Sequence, residues 1–61
     1  MLEVTTAIDG VYRVAADGRT AGYIVDAGSV FVSLRGPVYN TSVEVGQSSD
    51  IMDAARLLLA A

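Results

Sequence analysis

Three arginines offer the most chemistry in this chain. Arg13, Arg19 and Arg35 fall within, or at the end of, an alternating stretch from Val11 to Arg35. A planar guanidinium fork matches carboxylates, phosphates and guanine edges. Thr20, Ile24, Phe31 and Ser33 lie in the same stretch. Together they describe a recognition patch with an apolar centre, the pattern found in protein interfaces.

Catalysis finds little support. The chain has no histidine and no cysteine, so Ser-His-Asp and Cys-His nucleophiles are excluded. All four cations are arginines, and without lysine neither a P-loop nor a Schiff base can be built. Structural zinc draws on Cys and His, and the acids lack the spacing of a calcium loop. The expectation is a non-enzyme with no cofactor and no metal. Asp50 and Asp53 are three apart and read as charges at a helix start. Tyr12 and Tyr23 read as a cross-strand pair inside the core.

Two turn signals position these residues. Asp17-Gly18 and Ala27-Gly28 separate alternating runs, and Asp-Gly suits a two-residue hairpin because both of its residues tolerate positive φ. Two-residue loops at both places set Tyr12 opposite Tyr23, and Tyr23 opposite Val32. Side chains alternate faces along a strand. Tyr12, Val14, Ala21, Tyr23, Val25, Val30, Val32 and Leu34 then share one apolar face, which reads as core. The opposite face carries Val11, Arg13, Ala15, Thr20, Gly22, Ile24, Asp26, Phe31, Ser33 and Arg35. Ile24 is expected opposite Phe31.

Outside this meander, Leu2 to Ile8 alternates and is followed by Asp9-Gly10, predicting a further strand and hairpin. Gly36-Pro37 ends the meander, because proline lacks a donor and biases the residue before it away from helix. Val43 to Val45 suits a short edge strand guarded by Glu44. Gly46 to Ser49 breaks the pattern. Ser48, Ser49 or Asp50 can cap a helix over about 49–60. Its apolar face is expected to hold Ile51, Met52, Ala54, Ala55, Leu58 and Leu59, with Leu57 on the outer flank. A helix this short needs a surface to dock on. The fold class is therefore α+β: a small antiparallel sheet of three to five strands, with the meander at 11–35, and one C-terminal helix on one face.

One domain is expected over residues 1–61. A chain of this size buries only about 60% of its unfolded surface and gains from association. The first eight residues hold no basic residue and no long apolar run, and no window approaches the roughly 20 apolar residues of a membrane span. The chain is expected to be cytoplasmic and to have no membrane partner. Arginine in place of lysine, with abundant Ala, Val and Gly, points to a GC-rich genome, such as that of an actinobacterium or one of its phages.

Two functions follow. The first is a non-catalytic interaction or regulatory module that binds a protein, itself included, as a homodimer. Its candidate face is Arg13, Thr20, Ile24, Phe31, Ser33 and Arg35, with Arg19 and Leu57 beside them. The second is a nucleic-acid-binding module using the same face. In outline it resembles small domains that read DNA with an open three-stranded sheet. A net charge of −3 disfavours it.

Overall fold

Three Gly-containing turns and a helix cap lay out the chain. A computed structural model describes residues 2–59. The strands are β1 (Leu2–Ile8), β2 (Val11–Ala16), β3 (Arg19–Asp26), β4 (Phe31–Arg35) and β5 (Val43–Ser48), and the helix α1 spans Ile51–Leu59. The strands form one antiparallel sheet in sequence order, each paired with the next. The expected α+β architecture is present, with five strands. A turn of 3-10 helix at Tyr39–Thr41 joins β4 to β5. Among the described residues no helix is long and apolar enough to cross a membrane.

The first meander turn is as expected. Asp17 and Gly18 both take positive φ, 52° and 81°, and Ala16 pairs with Arg19. The second is longer. Asp26 pairs with Phe31, so four residues, Ala27 to Val30, make the loop. Asp26 Oδ1 accepts from the Gly28 amide at 2.9 Å, and the Ala27 amide donates to the Val30 carbonyl at 2.9 Å. A two-residue expectation therefore becomes a two-residue shift in register, which keeps the side-chain phase.

A bulge changes that phase. Val14 pairs with Gly22 but Ala15 pairs with Thr20, leaving Ala21 as an extra residue in β3. An extra residue exchanges the faces of everything beyond it. Tyr12 thus pairs with Ile24 instead of Tyr23. The longer second loop is what pairs Ile24 with Ser33 instead of Phe31. Ala7 in β1 and Val45 in β5 are extra residues of the same kind. The second of these lets β5 run on through Gly46 to Ser48, past the expected break.

The core lies between the helix and the face that carries Val14 and Ile24. Val14, Ile24, Ala54, Ala55 and Leu58 are buried, and Leu2, Val4, Tyr12, Ala21, Phe31 and Ile51 pack around them. Asp50 caps the helix, its Oδ1 accepting from the Met52 amide at 2.7 Å. The helix is turned slightly from its expected setting. Met52 and Leu59 face outward, while Leu57 is half-buried over Gly46. Ala60 and Ala61, at the end of the expected helix, lie outside the described residues.

Candidate functional site

The expected faces are right for β2 and for Thr20, and exchanged for β3 beyond Ala21 and for β4. Tyr12 and Val14 lie on the helix side as expected. Gly22, Ile24, Phe31, Ser33 and Arg35 lie there too, contrary to expectation. Tyr23, Val25, Val32 and Leu34, read as core, occupy the side without the helix. The Ala21 bulge is the cause.

This correction dissolves most of the expected patch. Ile24 and Ser33 are fully buried. Ser33 Oγ donates to the Ala54 carbonyl at 2.8 Å. Phe31 packs against the core. Arg35 Nη2 donates to the Leu57 carbonyl at 3.0 Å, near the helix C-terminus, where a cation suits the dipole. Leu57 packs on β5. Arg13 and Thr20 do lie on the uncovered face, joined by a bond from Arg13 Nε to Thr20 Oγ1 of 2.7 Å. Arg19 is exposed beside the Asp17-Gly18 turn. Arg56 pairs with Asp53 at 2.6 Å on the exposed helix surface, an arrangement of small energetic value. The four arginines thus occupy four separate places.

The uncovered face is the candidate site. Its registers place side chains in rows across the strands. One row reads Thr5, Arg13, Tyr23, Leu34 and Glu44 from β1 to β5. The next reads Ile8, Val11, Val25, Val32 and Gln47. Towards the opposite end, Glu3, Ala15 and Thr20 form a partial row. Tyr23, Leu34, Val25 and Val32 therefore make a two-by-two apolar block at the centre, each half-buried. Val11 lies beside it on β2 and is itself buried, 7% exposed. Arg13 flanks it on β2 and Glu44 flanks it on β5.

The β4–β5 connection borders this block. The Tyr23 hydroxyl donates to the Pro37 carbonyl at 3.1 Å, and the Tyr39 ring meets Tyr23 edge-on at 5.6 Å. This replaces the expected Tyr12–Tyr23 pair. Tyr39 and Val38 remain exposed. Among the described residues no pocket opens on the surface, and no three acids gather as a metal-binding group.

A surface of this kind can bury apolar area against another sheet or side-chain layer, and can place one cation and one anion at its flanks. The signal for it was present in the sequence. The Tyr–Val–Val–Leu block is continuous and apolar in the sequence, and the structure places it on the side opposite to the one the alternation predicts. Compared with known proteins, the chain matches no family model, no curated protein and no solved structure.

Proposed function

We propose that this chain is a small non-catalytic interaction module that receives a protein partner on the uncovered sheet face. One observation carries the reading. Tyr23, Val25, Val32 and Leu34 form a contiguous apolar block that the helix does not cover. Apolar patches rimmed by polar residues mark interaction surfaces. Arg13, Thr20, Thr5, Glu44 and Gln47 supply that rim. The nucleic-acid alternative loses its support, because the arginines are dispersed and polyanion binding needs them gathered.

The test is photo-crosslinking from two positions. A photoreactive residue at Val32 lies in the block, while one at Met52 lies on the outer helix surface. Discrete protein adducts from position 32, and none from position 52, are expected in cells. No protein adduct from position 32, or adducts to nucleic acid alone, overturns the reading.

A further inference from the structure

We infer that the occupant of this face is a second copy of the chain, related by a two-fold axis along the line between β3 and β4. The inference rests on the interaction reading above and adds the partner and its geometry. The row pattern carries it. In a single row, Arg13 stands on β2 and Glu44 on β5, with Tyr23 and Leu34 between them. Each charge lies one and a half strand spacings from the β3–β4 line, or about 7 Å. Rotation about that line keeps rows level and sets β2 over β5. Arg13 of each copy then faces the partner's Glu44, twice over, around the apolar block.

Both groups have capacity for this pair. Arg13 uses Nε on Thr20, and its terminal nitrogens hold no hydrogen bond among the described residues. Glu44 Oε2 accepts from Gln47 Nε2 at 3.2 Å, while Oε1 accepts nothing among the described residues. A desolvated guanidinium requires an anion, and this arrangement supplies one. Packed sheets turn by about 30° to each other at a separation of about 10 Å. At 7 Å from the axis that turn shifts a residue by about 4 Å, within the reach of Arg and Glu side chains.

The size of the face sets the strength. Five strands give a footprint of roughly 20 by 20 Å, about 400 Å² per copy. Side-chain relief raises this towards the roughly 600 Å² per partner at the lower edge of specific interfaces. A reversible dimer of micromolar affinity is expected.

The test uses Arg13→Glu and Glu44→Arg with sedimentation equilibrium up to about 1 mM chain, after circular dichroism has shown each variant folded. Each variant alone faces like charge across the axis, and its self-association is expected to weaken about tenfold or more. Mixing the two variants, one doubly acidic and one doubly basic on the face, is expected to restore a dimer of wild-type affinity. The double variant should recover it as well. A wild-type chain that stays monomeric at every concentration overturns the inference. So does a dimer indifferent to both substitutions. The interaction reading survives the first of these results if position 32 crosslinks to a different protein. It falls with the inference if the chain dimerises and Val32→Asp leaves that dimer intact.

Discussion

The two faces of the sheet divide side-chain bulk in an unexpected way. The helix covers the face with the smaller residues at its point of contact, Gly22, Ser33 and Gly46, and leaves Tyr23, Val25, Val32 and Leu34 uncovered. A Cβ at Gly22 would overlap the Leu34 carbonyl oxygen and come within 2.9 Å of Leu58 Cδ2. At Gly46 it would meet Leu57 Cδ1 at 2.8 Å. On the helix, Ala54 and Ala55 meet this surface, both fully buried. Small residues on both sides let helix and sheet approach closely, and dispersion rises steeply with close contact. Ser33 adds a bond to the helix backbone. The uncovered face has no such groove. Closeness of fit at these small residues lets the helix seat over Val14 and Ile24.

Substitutions on the two faces should separate sharply. The largest effect is expected at Gly22→Val, which places a side chain against backbone that cannot move aside. A loss of about 3 kcal/mol or more follows. A domain of this length holds only a few kcal/mol of stability, about 0.05–0.15 per residue, so urea titration should find the variant largely unfolded. Gly46→Val presses on the flexible end of Leu57 and should cost less. A Gly22→Val protein as stable as wild type would end the account of close approach.

Next comes a matched pair. Ile24→Ala empties a fully buried site and should cost about 3 kcal/mol. Val25→Ala, one residue along and on the other face, should cost the monomer less than about 1 kcal/mol. Equal losses in denaturant unfolding would erase the contrast between the faces. Ser33→Ala should cost about 1 kcal/mol, because the Ala54 carbonyl loses a buried donor. Val32→Asp exchanges a half-buried β-branched residue for one that strands disfavour, and should cost the isolated chain about 1 kcal/mol. This same variant should lose association in sedimentation, so stability and binding part company at a single residue.

These contrasts show which features were legible. The Asp17-Gly18 hairpin, the strand at Leu2 to Ile8 and the capped C-terminal helix follow from local rules of turn, alternation and cap. The apolar row of the site was equally visible. Its side was not, because no local signal distinguishes Ala21 as a bulge from Ala21 as an ordinary strand residue. Arg35 follows that bulge to the helix side, while the place of Leu57 over Gly46 depends on the rotation of the helix, which no local signal sets.

The order of turns and strands, the lack of histidine, cysteine and lysine, and two apolar rows of opposite phase are properties of the sequence, because each depends on residue type or near-neighbour spacing. The choice between those rows came from tertiary structure. One extra residue at Ala21 exchanges the faces of β3 and β4, and the glycine–serine groove then admits the helix to the side that holds Ile24. Phase across a bulge and fit across a layer are relations between distant residues, and neither is encoded at any single position.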